Sequence, residues 1–305
     1  MDHPSRLHAA TDTTFMLIEE AMRRGIACEF FTPIDLSWRG GEVLARTQPI
    51  TVDMSQGQAW MLGEARTQSL HEVGVVWMRQ DPPFNMSYVT ATHLLEHLAP
   101  ETKVVNDPAG VRNAPEKLFP LHFAPFMPPT LVSMDPTVIH AFAKSHGTIV
   151  GKPLHGYGGR SIFKLDASDP NIDTLIEHWR EAANEPLMWQ AFLKEVATQD
   201  TRVLMVDGEI SAFFHRQPPA GSIRANMRAG GSARKQDVLS DRQQSICEAM
   251  GPALRQHGLL LAGLDLIGDY LTEINVTSPT GLRAAHKLTG ANLAAKLWDK
   301  LAAAA

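Results

Sequence analysis

Several side chains in this sequence stand at spacings that suit phosphate chemistry. In Lys152-Pro153-Leu154-His155-Gly156-Tyr157-Gly158-Gly159-Arg160-Ser161, a lysine closes one apolar run and three glycines precede the next. Glycine lets backbone N–H groups approach phosphate oxygens closely, and lysine adds a point charge. Taken alone, the segment is also an ordinary turn. It is not a Walker loop, because no Gly-Lys-Ser/Thr follows and no helix opens after it. A second segment, Gly263 to Val276, carries Asp265, Glu273 and Asn275. Side chains two apart on a strand point the same way, so Glu273 and Asn275 share a face. Two carboxylates and an amide oxygen are hard ligands suited to magnesium that also holds phosphates. The alternative is a polar, solvent-facing hairpin, but Ile274 and Val276 alternate with the polar pair as in a half-buried strand. A third set is Arg202, Arg216, Arg224 and Arg228. The guanidinium fork matches two carboxylate or phosphate oxygens. Any one of these is also a plain surface charge; their clustering between the glycine loop and the acidic hairpin points to a site.

His93-Leu94-Leu95-Glu96-His97 fits an inverted zinc-protease pattern on a helix. Zinc hydrolysis would leave the other signals unused, so the pair is read as a surface stripe.

The elements that must hold these residues follow from periodicity. Thr13 to Arg24 reads as a helix capped by Asp12, and Ile26 to Phe31, Val73 to Met78 and Lys103 to Val105 read as strands separated by helical stretches. That pattern predicts an α/β layer with parallel strands. Helices are expected over Asp135 to His146, Asn171 to Ala183, Asp241 to His257 and Ala291 to Ala303, and strands over Thr148 to Lys152, Ser161 to Leu165, Arg202 to Val206, Glu209 to His215, Leu259 to Ile267 and Leu271 to Val276. Trp189 falls in a further strand, and Asp207-Gly208 is a hairpin turn signal. The acidic hairpin carries a constraint of its own. A two-residue turn at Gly268-Asp269 would pair Asp265 with Thr272 and send Glu273 to the other face; a three-residue turn, Gly268 to Tyr270, pairs Asp265 with Glu273. An odd turn is therefore expected.

Composition bounds the function. The 305 residues suffice for about two domains, and a net charge of −5 without like-charge blocks offers nothing to nucleic acid or an anionic membrane. No apolar run spans a bilayer and the N-terminus lacks the order of a signal peptide. Cys28 and Cys247 lack metal spacing and fit the reduced thiols of a cytoplasmic protein.

Together with Met78-Arg79-Gln80-Asp81-Pro82-Pro83-Phe84, Asn106-Asp107-Pro108, Asn113-Ala114-Pro115-Glu116-Lys117-Leu118-Phe119 and Leu271 to Thr280, these segments resemble the prokaryotic glutathione synthetases along nearly the whole chain. The resemblance implies an α/β and α+β ATP-grasp fold: a pre-ATP-grasp domain over 1–115, a small ATP-grasp subdomain over 116–190 and a catalytic subdomain over 191–305. It implies ligation of γ-glutamylcysteine to glycine through an acyl phosphate, with ATP as co-substrate and two magnesium ions, manganese being a substitute. Lys117 and Lys152 would contact the phosphates, with Gly156, Tyr157, Gly158 and Gly159 covering them. Gln190, Phe192 and Leu193 would line the adenine. Asp265, Glu273 and Asn275 would hold metal. Arg202, Arg216 and Lys152 would act in catalysis, and Arg79, Arg202, Arg216, Arg224, Asn226, Ser278 and Thr280 would bind substrate, the loop around Arg224 and Asn226 closing over the site. A homodimer or homotetramer in the cytoplasm is implied as well. Other readings share these residues: a different ATP-grasp carboxylate–amine ligase, or an ATP-binding relative without ligase activity.

The sequence departs from the family pattern at Gln80, Gly151, Ala225, Arg228 and His155, the last standing where the family carries an aspartate. A neutral ring there would remove repulsion from the phosphates, and a protonated one would add attraction. The chain also opens at Met1-Asp2-His3-Pro4, past a short first strand of the family. A vacant slot beside Ile26 to Phe31, a poorly anchored Met1 to Ala10, and a higher melting temperature on adding an apolar strand ahead of Met1 are therefore expected.

Overall fold

A computed structural model describes residues 1–55, 59–156, 158, 161–182, 185–219 and 230–304. The chain opens with helix α1 (Thr13–Arg23), whose first turn is capped by Asp12: Oδ1 accepts from Thr14 N at 2.6 Å and Phe15 N at 3.2 Å. Strands β1 (Glu29–Phe30), β2 (Leu36–Arg39), β3 (Glu42–Val52), β4 (Trp60–Leu62) and β5 (Arg66–Ser69) follow. All the others pair antiparallel with the long β3. The expected parallel layer with helices between Phe31 and Val73 is thus wrong. The segment from Leu36 to Val52 is a hairpin turned at Gly40-Gly41, both at positive φ, and β3 buries mainly alternate residues. Among the described residues, parallel pairing is confined to β6 (Val75–Trp77) and β7 (Lys103–Val105), linked by α2 (Met86–Glu96); the short α3 (Pro108–Asn113) follows.

Beside β1 and β6 lies a cavity of about 620 Å³, lined by Phe30, Phe31, Val76 and Trp77 among others. The expected slot is therefore present. The expected looseness of Met1 to Ala10 is not: the terminal ammonium donates to Phe31 O at 3.1 Å, Asp81 N donates to Asp2 Oδ2 at 2.7 Å, and Pro4 is buried. Burial pushes the ammonium down to about 6.

A second antiparallel sheet holds β8 (Thr130–Ser133), β9 (Thr148–Pro153), β10 (Phe163–Asp166) and β11 (Leu187–Ala191) in the order β10-β9-β11-β8, with α4 (Pro136–His146) and α5 (Asn171–Ala182) contributing to one core around Trp189. Gly151 faces Trp189 across the pair, and a Cβ at Gly151 would stand 2.7 Å from the indole. Any side chain at 151 would collide with this ring.

The third sheet holds β12 (Asp200–Val206), β13 (Glu209–Gln217), β14 (Ser232–Lys235), β15 (Leu261–Ile267) and β16 (Tyr270–Asn275), in the order β14-β13-β12-β15-β16. Asp207-Gly208 turns the β12–β13 hairpin with both residues at positive φ, as its composition predicts. α6 (Asp241–Gln256) packs Ile246, Met250 and Leu254 against Val203, Leu264 and Ile274. Leu204, Phe214 and Leu261 meet α7 (Leu282–Thr289), α8 (Leu293–Ala304) and Met16 and Leu17 of α1 in another cluster. Asn106 staples the end of β7 to this sheet. Its Nδ2 donates to Leu261 O and Val276 O, both at 2.8 Å, and its Oδ1 accepts from Leu261 N at 2.9 Å. No helix among the described residues is long and apolar enough to cross a membrane.

Candidate active site

The third sheet lines up charged residues in register. Arg202 of β12 stands opposite Asp265 of β15, and Asp265 stands opposite Glu273 of β16. Asp200 lies two residues before Arg202 and faces Arg216 of β13. Direct cross-strand neighbours share a face, so Asp200, Arg202, Arg216, Asp265, Glu273 and Asn275 occupy one face of the sheet. The pairing of Asp265 with Glu273 is as expected, but the device is not. The turn is the even one: Ile267 pairs with Tyr270 and Leu266 with Leu271 around Gly268-Asp269. A β-bulge then leaves Thr272 unpaired and restores Asp265 to Glu273, and Thr272 Oγ1 donates to Asp265 O at 3.0 Å.

Asp265 is held by two arginines. Arg202 Nε donates to Oδ1 at 2.6 Å and Nη2 to Oδ2 at 3.2 Å, while Arg216 Nη1 lies 3.0 Å from Oδ2. Arg216 Nε donates to Asp200 Oδ1 at 2.6 Å, and Arg202 Nη1 to Thr280 O at 3.2 Å. All four charged side chains are buried. Burial alone would raise the Asp265 carboxyl, but Arg202 and Arg216 outweigh it and hold it below the usual range. Burial, reinforced by the charge of Asp265, outweighs Arg216 and the weaker pull of Arg202 and leaves Asp200 raised. Burial works against the Arg216 charge, yet Asp265 and Asp200 together push its pKa higher still. Arg202 reaches across Gly263: a Cβ there would stand 2.9 Å from Nη1.

Two lysines come to the site from other elements. Lys117 precedes a pair of 3-10 turns over Phe119–Phe126; its Nζ donates to Gly156 O at 2.6 Å and to Glu273 Oε1 at 3.1 Å. Lys152 of β9 donates to Gln190 Oε1 of β11 at 2.6 Å, and Gln190 Nε2 donates to Thr130 Oγ1 at 3.1 Å. Burial drives Lys152 down to about 8, partly opposed by Glu273. Gly156 and Gly158 follow in the connection to β10, Gly158 at positive φ. Phe192 N donates to Thr148 O at 3.0 Å, its ring lies 4.3 Å from Lys164 Nζ, and Leu193 caps the next 3-10 turn. Beyond β16, Ser278 Oγ donates to Asp81 Oδ1 at 2.5 Å. Arg79 is buried, and its Nε donates to Thr14 Oγ1 at 3.2 Å.

Tyr157, Gly159, Arg160, Arg224, Ala225, Asn226 and Arg228 lie outside the described residues. Among the rest, the structure brings Lys117, Glu273 and Gly156 into direct contact, Lys152 with Gln190, and Arg202, Arg216 and Asp265 with one another. Arg79 donates to Thr14 of α1, and Phe192 lies against Lys164. Sequence reasoning passed over Asp200, Asp81 and Glu116. Asp200 was signalled by its place two residues before Arg202 on one strand. Glu116 adjoins Lys117; burial and the neighbouring Glu273 raise its carboxyl pKa. Asp81 carried no separate signal.

In the His93, Glu96 and His97 pattern, Glu96 pairs with Arg112 and His97 lies against Trp38.

His155 stacks on Phe84, with centroids 6.0 Å apart and planes 28° apart, tying the glycine segment to the first domain. A ring pair of this kind is worth ~0.5–1.5 kcal/mol. His155→Asp exchanges the stack for a carboxylate beside the loop. For the ATP use that the resemblance implies, it is expected to raise the KM for ATP about threefold to tenfold with little change in kcat, measured by steady-state ADP release; an unchanged KM would make the stack incidental.

Residues 116–290 match the family described as prokaryotic glutathione synthetase, ATP-grasp domain, and residues 1–112 the family described as prokaryotic glutathione synthetase, N-terminal domain. A glutathione synthetase of Rhodopseudomonas palustris is 46% identical over 303 residues, covering 99% of this chain and 96% of the relative. One of Shewanella oneidensis is 40% identical over 304 residues, covering 99% and 96%. Among solved structures, the ATP-grasp ligase PsnB with its minimal precursor superposes with a TM-score of 0.65 at 19% identity, over 95% of this chain and 94% of that one. The D-cycloserine synthetase DcsG gives 0.60 at 18% identity, over 76% and 85%. These two likenesses speak to the ATP-grasp fold.

Proposed function

We infer how these residues work from the family they serve: the chain belongs to the prokaryotic glutathione synthetases. It is an ADP-forming carboxylate–amine ligase that joins γ-glutamylcysteine to glycine and uses ATP. The roles of individual residues are our reading. The observation that carries it is the single charged face on which Arg202, Arg216, Asp265 and Glu273 meet Lys117.

In the first step an oxygen of the cysteinyl carboxylate attacks the γ-phosphorus of ATP, and ADP leaves. Lys117 and Lys152 meet the phosphate charge, with Gly156 and Gly158 allowing close backbone approach. The reaction needs positioning and charge stabilisation more than a covalent catalyst. In the second step the neutral glycine amine attacks the carbonyl carbon of the acyl phosphate, the C–O bond to phosphate breaks, and the nitrogen gives up one proton as phosphate leaves. Arg202 and Arg216 are assigned to the charge on the carbonyl oxygen and the departing phosphate, and Asp200, bonded to Arg216 Nε, would keep Arg216 oriented. Arg79, Ser278 and Thr280 are assigned to the peptide, with Arg224 and Asn226 in the covering loop. Gln190, Phe192 and Leu193 are assigned to the adenine side.

Asp265, Glu273 and Asn275 would hold magnesium, or manganese in its place. The all-oxygen donor set fits a hard cation, and both carboxylates are already balanced by cations that could turn to incoming phosphates. Magnesium, when bound, neutralises phosphate charge. We divide the chain at 1–115, 116–190 and 191–305, a reading supported by the separate antiparallel sheets β8–β11 and β12–β16. We also assign a dimer or tetramer, a cytoplasmic location, and no nucleic-acid or membrane partner, the last supported by the mild net charge.

The test is a coupled assay of ADP release. Release is expected with γ-glutamylcysteine and glycine together, and glutathione should accumulate in step with ADP. Turnover with another amine in preference to glycine would favour a related ligase. ATP binding without release under any amine would favour a relative without ligase activity.

A further inference from the structure

We propose that Glu116 is a positioning residue that sets the peptide-facing end of the site by holding the chain just beyond β16. The inference rests on the reading of Glu273, Asn275 and Ser278 given above.

β16 is the outer strand of its sheet and, among the described residues, pairs only with β15. Its open edge is closed by Glu116. The backbone oxygen of Glu116 accepts from Ile274 N at 2.9 Å, between Glu273 and Asn275. The side-chain Oε1 accepts three bonds: from Val276 N at 3.1 Å, Thr277 N at 3.3 Å and Thr277 Oγ1 at 2.8 Å. Val276, Thr277 and Ser278 are buried, so water does not readily replace this acceptor. The next residue, Ser278, donates to Asp81, which brings the first domain to the same point. The two halves of Glu116 therefore have separable duties. The backbone oxygen holds the segment with the candidate metal ligands, and any residue at 116 keeps it. The carboxylate holds Val276–Thr277 and through them Ser278, which only an acceptor of this length can do. Lys117 has anchors of its own, Gly156 O and Glu273, so removing the carboxylate leaves the nucleotide side in place.

The experiment compares Glu116→Ala, Glu116→Gln and Thr277→Val for the KM of γ-glutamylcysteine, for kcat, and for the affinity of a non-hydrolysable ATP analogue, with melting temperatures measured alongside. Leaving buried donors unpaired costs the equivalent of about tenfold or more. Glu116→Ala is expected to raise the peptide KM by at least about tenfold, with kcat and analogue affinity within about twofold. Glu116→Gln keeps a carbonyl acceptor of the same length and should restore KM to within about threefold of wild type. Thr277→Val removes one donor and should raise KM a few-fold in the same direction. If Glu116→Ala fails to fold, the other two decide. An unchanged peptide KM in Glu116→Ala, equal losses on peptide and nucleotide, a Gln variant no better than Ala, or an unmoved KM in Thr277→Val when the Ala variant does not fold would overturn the inference. Glu273→Gln is run in parallel. Full turnover there would overturn the reading of the acidic hairpin itself, whereas lost turnover there with a silent Glu116→Ala would overturn only the role of Glu116.

Discussion

Lys152→Ala is expected to lower turnover at saturating ATP about 10²–10³-fold, the usual cost of losing one preorganised charge donor. The structure adds a reason for the size of the effect. Lys152 is held on β9 by a neutral partner, Gln190, rather than by a carboxylate. Among the described residues its charge is thus not spent on a structural ion pair, which suits the phosphate role proposed for it. The cost of burying it appears as a pKa of about 8. On the proposed reading, nucleotide supplies the missing counter-charge, so the bound state favours the protonated lysine. Below pH 8 the ammonium is already formed. Above it, binding must also take up a proton, and the Kd for ATP should weaken by up to about tenfold per pH unit. Lys152→Ala should lose that limb of the profile, whereas Lys152→Arg, charged throughout, should keep affinity flat. Titration calorimetry with an unreactive ATP analogue from pH 7 to 9.5 checks this. A wild-type profile with no break near 8, or an alanine variant with normal turnover, would move the role to another residue.

Asp265→Asn is expected to stop turnover and to destabilise the protein by about 3–5 kcal/mol, because it leaves two buried guanidiniums without their shared carboxylate. For a chain of this size that is a fall in melting temperature of about 5–15 °C. The comparison has a sign in pH. The folded Asp265 carboxyl lies below its ordinary value, burial being outweighed by Arg202 and Arg216. Its contribution is therefore complete above the unfolded aspartate value of about 3.9 and is lost as pH falls through the lower folded value. The gap between wild type and Asp265→Asn should be full at pH 7 and narrow below about pH 4, as followed by thermal melting. A gap that grows on acidification would contradict the assignment of the charge. Activity kept in the variant would remove Asp265 from the site.

Much of this protein is determined locally, and local features were legible in the sequence. The cap at Asp12, the turn at Asp207-Gly208 and the two-residue alternation of Glu273 and Asn275 are short-range consequences of residue type, so they appear in the structure as the sequence implies. The motif-bearing segments likewise identified the family. The first third was misread because the Gly40-Gly41 hairpin and the strands around β3 are individually short, and their partner lies up to tens of residues away. Register was a tertiary decision too. Counting residues around Gly268-Asp269 predicts the wrong turn, since a bulge at Thr272 costs little locally and lets a buried face choose which side chains meet. The same holds for charge. That Asp265 is shared by Arg202 and Arg216, that Lys152 is held by an amide, and that Glu116 closes the edge of β16 are facts about residues 38 to 160 positions apart. No spacing rule encodes such pairs: they exist because the packed sheets remove water and leave each buried polar group only the partners that the fold delivers.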